Sequence, residues 1–188
     1  MRKLILYMFT TLDGFVAGSN GEFDEYEPSL EEHHFANELF GSMDGIFLGR
    51  KSYEAFVAYW DTLDLNDDSI PAVERDFSRV FRTLHRVVFS RNIQQVPEKT
   101  TLIHDDLFAQ VTTLKAQPGR DFLLICGSEL LAALVDQGLV DEVCLLIKPT
   151  VLGRGTTLFG DLTKTLHLQL LSTRVFESGA VMHRYQIK

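Results

Sequence analysis

The sequence predicts an α/β fold, a mainly parallel sheet flanked by helices and mixed at one edge, ending in an antiparallel hairpin. Three observations carry this. Short continuous apolar runs, Leu4-Ile5-Leu6-Tyr7-Met8-Phe9, Ile46-Phe47-Leu48, Val87-Val88-Phe89 and Phe122-Leu123-Leu124-Ile125-Cys126, read as strands buried on both faces, as parallel strands are. Segments with helical spacing follow these runs, the alternation that builds βαβ units. The final third changes character: Leu166-Leu168-Leu170 and Val181-His183-Tyr185-Ile187 alternate with polar residues at period two, the pattern of antiparallel edge strands. In such a sheet ligands are expected at the carboxyl ends of the strands.

Taken in order, Lys3 to Thr10 is the first buried strand, and Leu12-Asp13-Gly14 and Ser19-Asn20-Gly21 supply turns. Ser29 followed by Glu32 forms a capping box, with Phe35 and Leu39 spaced to share one face of the helix that follows, and Asp44-Gly45 ends it. After the second strand, Ser52 is placed to cap a helix carrying Tyr53, Phe56 and Trp60. A further short helix falls within Pro71 to Arg82, before the strand at Arg86. Leu102-Ile103 is a short strand, and Asp105 or Asp106 caps a helix over Leu107 to Ala116. Pro118-Gly119 turns the chain into the strand Phe122 to Cys126. A helix over Leu130 to Gln137 is closed by Gly138, and Asp141 to Lys148 is a strand.

Composition bounds the function. With 188 residues and 45% hydrophobic content the chain reads as a single domain over residues 1–188. No stretch has the apolar length of a membrane span, and the apolar run after Met1-Arg2-Lys3 lacks a cleavage site, so a cytoplasmic protein is expected. Cys126 and Cys144 fall inside strands, where free cysteine acts as a small hydrophobe, in keeping with a reducing compartment. A net charge of −8 with 18 Lys and Arg spread thinly argues against nucleic acid as a partner. The six histidines show no metal-ligand spacing, and no metal is expected.

The chemistry sits at strand ends. Gly127-Ser128-Glu129-Leu130 follows one strand and opens a helix, an arrangement that offers unpaired N–H groups and a positive dipole end to a phosphate. Gly49-Arg50-Lys51-Ser52 follows a second strand and Ser90-Arg91 a third. Three small or cationic strand ends in one sheet point to a nucleotide with several phosphates. Each glycine also has a plain reading as an ordinary strand-to-helix turn.

In order along the chain, Thr11-Leu12-Asp13-Gly14-Phe15-Val16-Ala17, Leu48-Gly49-Arg50-Lys51-Ser52-Tyr53-Glu54, Val88-Phe89-Ser90-Arg91, Cys126-Gly127-Ser128 and Gly138-Leu139-Val140-Asp141-Glu142, then Pro149-Thr150-Val151-Leu152-Gly153-Arg154-Gly155-Thr156-Thr157-Leu158-Phe159, resemble the dihydrofolate-reductase-like superfamily. The resemblance is closest to the reductase domain of bifunctional riboflavin-biosynthesis proteins. It implies a mixed sheet of about eight strands, NADPH bound across the strand ends, hydride transfer to a pterin-like or 5-amino-6-(5-phosphoribosylamino)uracil-like heterocycle, and a homodimer. By the same resemblance Gly49, Arg50, Lys51 and Ser52 contact cofactor phosphates, Ser90 and Arg91 lie near the adenosine 2′-phosphate, and Gly127, Ser128, Glu129 and Leu130 form the diphosphate turn. An arginine beside the 2′-phosphate favours NADPH over NADH.

The zinc signature of the deaminase half is absent, so the reductase would stand alone. Asp13, Glu31 and Glu32 are the catalytic candidates. Each has a structural counterpart: Asp13-Gly14 as a turn, Glu31 and Glu32 as first-turn acids that favour the helix dipole, Glu32 also as capping-box partner. A second function class remains beside the reductase, a nucleotide-binding module without turnover.

Overall fold

The computed structural model describes residues 1–21 and 27–188. The strands are β1 (Leu4–Thr11), β2 (Phe15–Ala17), β3 (Gly45–Gly49), β4 (His85–Phe89), β5 (Thr100–Ile103), β6 (Phe122–Ile125), β7 (Glu142–Lys148), β8 (Thr156–Thr157), β9 (Leu168–Val175) and β10 (Val181–Ile187). The α-helices are α1 (Leu30–Gly41), α2 (Arg50–Phe56), α3 (Ala72–Thr83), α4 (Leu107–Ala116) and α5 (Ser128–Asp136). Eight strands form one sheet in the order β5-β4-β3-β6-β1-β7-β10-β9, and β2 pairs with β8 separately. β3 runs parallel to β4 and β6, β4 to β5 and β1 to β7, whereas β10 is antiparallel to both β7 and β9. The chain divides into two compact units, Met1–Arg2 with Ser29–Cys126, and Lys3–Pro28 with Gly127–Lys188.

In the first unit, the centre of the sheet is aromatic: the Phe47 and Phe122 rings lie 4.9 Å apart, and both side chains are fully buried. Gly45 opens β3 because a Cβ there would stand 2.4 Å from the His85 carbonyl oxygen and press on the Phe122 ring. Its role is therefore close strand approach; α1 ends earlier, at Gly41, with Ser42 as its cap. The capping box forms as expected, Ser29 accepting from the Glu32 amide and Glu32 from the Ser29 amide. The buried face of α1 is centred on Glu32, Ala36 and Phe40, one turn-spacing series, and Phe35 and Leu39 flank it half-buried. Phe40 meets Phe77 of α3 at 4.8 Å, and Val73, Phe77 and Phe81 repeat every four residues along the buried side of α3.

Tyr53 and Phe56 lie in α2, but Trp60 falls in a π-helical turn, Val57–Asp61, that continues it. That turn is held from the sheet and from α3. Arg86 of β4, almost fully buried, forks onto the Asp61 carboxylate with two contacts of 2.6 Å, and Ser78 and Arg82 both donate to the Trp60 carbonyl. Asp106 is the cap of α4, in a left-handed conformation (φ 46°) that a short polar side chain tolerates.

In the second unit, β1 is buried at both ends and leads into the Asp13 turn. At the start of β7 the Glu142 carboxylate is buried and receives Lys3 Nζ and Arg184 Nε, each at 2.5 Å. Burial alone would push the Glu142 carboxyl up, but the two hydrogen-bonded cations outweigh it and hold it below its ordinary value. Gly138, at φ 67°, closes α5 as expected. The period-two alternation does produce the antiparallel pair, joined by a turn over 176–180. A bulge between Arg184 and Tyr185 shifts the register, and β9, at the sheet edge, leaves Leu170, Leu171 and Val175 exposed. Among the described residues no helix is long and apolar enough to cross a membrane.

Candidate functional site

The carboxyl ends of β4, β3 and β6 are level. Gly49 pairs in register with Phe89, and Leu48 with Ile125, so three adjacent parallel strands stop together. Ser90 and Arg91 follow the end of β4, Arg50 that of β3, and Cys126 and Gly127 that of β6. Open α/β sheets bind ligands at this end because loops and helix starts converge there.

Gly49 caps α2 with extended backbone (φ −68°, ψ 157°), so Ser52 lies inside the first turn rather than at the cap. The Arg50 guanidinium contacts both oxygens of Glu54, one helical turn on, at 2.8 and 3.1 Å. Lys51 is exposed, as is Arg91, and neither has a partner among the described residues. Ser90 is buried and builds the loop that carries Arg91: its Oγ accepts from the Asn92 and Ile93 amides at 3.1 and 3.0 Å, and its carbonyl accepts from His104 Nδ1 at 2.7 Å.

Gly127 is exposed, has ordinary extended backbone (φ −77°, ψ 171°), and a Cβ there would meet nothing within 4 Å among the described residues. Neither conformation nor packing requires a glycine. What its missing side chain leaves open is approach to the backbone at the start of α5. The first helical bond of α5 runs from the Leu131 amide to the Gly127 carbonyl, and no side chain caps the helix. The Ser128, Glu129 and Leu130 amides therefore have no intrahelical acceptor. The Ser128 hydroxyl donates to Asp161 Oδ2 at 2.5 Å. Cys126, just before the turn, is no nucleophile: burial pushes its thiol up to about 12.

Of the acids, Asp13 is a clamp. Its carboxylate accepts from Thr11 Oγ1 at 2.6 Å and from the Leu152 and Gly153 amides at 3.2 and 2.7 Å, so it fastens the 150–155 loop to the turn after β1. The Thr11 hydrogen bond holds the Asp13 carboxyl below its ordinary value, and the loop amides add to that against an opposing desolvation effect. Glu32 is fully buried within the capping box, and Glu31 is half-buried in the same first turn. Among the described residues no group of three or more His, Cys, Asp or Glu is gathered so as to hold a metal. Three participants escape a reading of motifs. Glu54 was within reach as an i, i+4 partner of Arg50, and Thr11 as the residue two before Asp13. Asp161 is 33 residues from Ser128 and only the fold brings it there.

Comparison with known proteins bears on the family and the fold. The family described as the RibD C-terminal domain matches residues 2–182. The chain is 35% identical to Bacillus subtilis (strain 168) YyaP, a protein described as uncharacterized, over 186 residues, 98% of this chain and 94% of that protein. Among solved structures, the Thermotoga maritima diaminohydroxyphosphoribosylaminopyrimidine deaminase/5-amino-6-(5-phosphoribosylamino)uracil reductase superposes with a TM-score of 0.66 at 15% identity, over 100% of this chain and 57% of that one. Enterococcus faecalis dihydrofolate reductase complexed with NADP(H) gives 0.66 at 13% identity, over 99% and 96%. At these identities the structural matches speak to the fold: a dihydrofolate-reductase-like α/β sheet.

Proposed function

Because the chain belongs to the RibD C-terminal domain family, we propose that it is an NADPH-dependent reductase acting on a small heterocycle of the 5-amino-6-(5-phosphoribosylamino)uracil or pterin class. The observation that carries the reading is the level set of strand ends, β4, β3 and β6, each followed by small or cationic residues. Gly127 supports it independently, since its glycine has no conformational or packing reason and an approaching phosphate supplies one.

On this reading Gly49, Arg50, Lys51 and Ser52 hold phosphate oxygens. The turn built by Ser90 presents Arg91 to the 2′-phosphate, and the Ser128, Glu129 and Leu130 amides, reached past Gly127, take the diphosphate. NADPH, when bound, would supply the hydride; the chain's own part is to orient both reactants, exclude water and deliver a proton. Asp13 fastens a loop and Glu32 seals a helix start, so we assign proton delivery to Glu31. We further propose a homodimer, supported by the apolar edge of β9, and a cytoplasmic location, supported by the free buried thiols of Cys126 and Cys144.

The test is titration of purified protein with NADPH and with NADH, following nicotinamide fluorescence. Arg91→Ala is expected to weaken NADPH about tenfold or more and to leave NADH unchanged; equal loss for both would remove Arg91 from the 2′-phosphate. Pyrimidine ribosyl compounds and pterins are then screened for NADPH oxidation. The structural commitment of Asp13 and Glu32 favours a second reading, a nucleotide-binding module without turnover. Cofactor binding with no substrate-dependent oxidation would decide for it.

A further inference from the structure

The turn that carries Arg91 rests on His104. β4 and β5 run parallel within the first unit and end level, Phe89 beside Ile103. Ser90 and His104 are the next residues of the two chains. The Ser90 amide donates to the Ile103 carbonyl at 3.1 Å, and the Ser90 carbonyl accepts from His104 Nδ1 at 2.7 Å. A carbonyl oxygen only accepts, so the proton sits on Nδ1 and the tautomer is fixed. His104 is exposed, and its Nε2 has no partner among the described residues. That nitrogen bears a lone pair while the imidazole is neutral, and an N–H on a cationic ring once a second proton is taken up. The charged groups on the flanking segments are Arg91, on the turn, and Asp105 and Asp106, directly after the histidine; the Asp106 carboxylate is engaged with the Ala109 amide as the cap of α4.

We propose that His104 is a second specificity-determining residue for the 2′-phosphate, its Nε2 gaining a proton from solvent as the phosphate arrives and donating to a phosphate oxygen beside Arg91. The inference rests on the NADPH reading and deepens it. Arginine carries its charge at every working pH, whereas histidine is the side chain that ordinarily changes charge between about pH 5 and pH 8. The preference for the phosphorylated cofactor is therefore graded by pH. On the acid side of the imidazole's titration two cations meet the phosphate; on the alkaline side a lone pair faces it and Arg91 acts alone. NADH has no 2′-phosphate and feels neither state. The second ionisation of a phosphate monoester, near about pH 6, works the opposite way, since the dianion gains as pH rises. A preference that weakens with rising pH therefore belongs to the protein.

The test uses the full-length protein and His104→Gln, whose side-chain amide can still donate to the Ser90 carbonyl but does not titrate. NADPH and NADH are titrated at about pH 6.5 and about pH 8.5 at one ionic strength, and NADH cancels every pH effect that does not involve the 2′-phosphate. For wild type, NADPH affinity relative to NADH should fall about three- to fivefold from the lower pH to the higher. Calorimetry in buffers of different ionisation heat should show proton uptake with NADPH and none with NADH. His104→Gln should show neither effect, and at the lower pH should bind NADPH as weakly as wild type does at the higher. A wild-type preference that does not fall, or that falls equally in His104→Gln, would overturn the proposal and leave the reductase reading standing. Equal loss of NADPH and NADH binding in the variant at both pH values would also overturn it, making His104 a prop of the turn alone. If thermal melts show that the variant does not fold, the wild-type profile and its proton uptake decide by themselves. Absence of NADPH binding by wild type at either pH would overturn the reductase reading and this inference with it.

Discussion

Gly127 and Gly45 show how differently one residue type is used. Gly45 cannot carry a Cβ without striking the His85 carbonyl, so it belongs to the sheet. Gly127 has room among the described residues and permitted backbone, and on the proposed reading its missing side chain leaves the start of α5 open to a phosphate. Gly127→Ser separates the two explanations. Serine is a strong N-cap, and stability should rise by roughly a few tenths of a kcal/mol, read as a higher melting temperature. NADPH affinity should fall about fivefold or more, because the new hydroxyl occupies amides assigned to the diphosphate. If stability and affinity rose together, Gly127 would have no part in cofactor binding. At this scale the sequence was informative where chemistry is local. Ser29 and Glu32, Asp106, Gly138 and the Gly127 turn were legible because caps and turns depend on residues within one helical turn. The Ser128 to Asp161 contact was not legible, because loop closure over that separation leaves no periodic trace.

Elements were read well in kind and less well at their margins. The apolar runs located every central strand, since a strand buried on both faces must be apolar throughout. Phe35 and Leu39 do share a half-buried face of α1, but the fully buried series beside it begins at Glu32, a charged residue whose capping-box bonds satisfy it there. Serine's preference for the cap position points to Ser52, whereas Gly49, already extended at the strand end, starts α2 a turn earlier. β7 offers a pH test. The Glu142 carboxyl, normally near 4.5, is depressed in the folded protein, so its ion pairs add stability above the unfolded value and lose it as pH falls through the folded one. Wild-type stability in urea should drop below about pH 4.5 more steeply than that of Glu142→Gln. At neutral pH the substitution should cost about 1–3 kcal/mol. That is less than for a fully buried pair, since the Lys3 side chain is 52% exposed and rehydrates. Parallel pH profiles for the two proteins would exclude Glu142 as a contributor to acid unfolding.

For the whole molecule, alternating strands and helices gave the class of fold but not the strand order, which depends on crossovers that leave no mark in local patterns. Placing β10 between β7 and β9, and pairing β2 with β8, required the structure. Alternation does give β9 as an antiparallel edge strand, whereas β10, which alternates in the same way, lies inside the sheet between β7 and β9. An uncovered apolar edge strand invites pairing, and natural edges are usually blunted by lysine. Leu171→Lys should therefore shift the proposed dimer toward monomer in sedimentation equilibrium without loss of NADPH binding; a wild-type monomer at micromolar concentration would dispose of the dimer.

The second unit is made of two stretches, Lys3–Pro28 and Gly127–Lys188, with most of the first unit written between them. β1 pairs along its length with β7, which begins at Glu142. During synthesis from the amino end, the apolar β1 emerges early and then waits for well over half the chain to be made before this partner exists, while Ser29–Cys126 can already collapse on itself. The ribosome thus finishes the molecule in an order the fold does not follow, and the interval in which β1 lacks β7 is when a chaperone has most to protect.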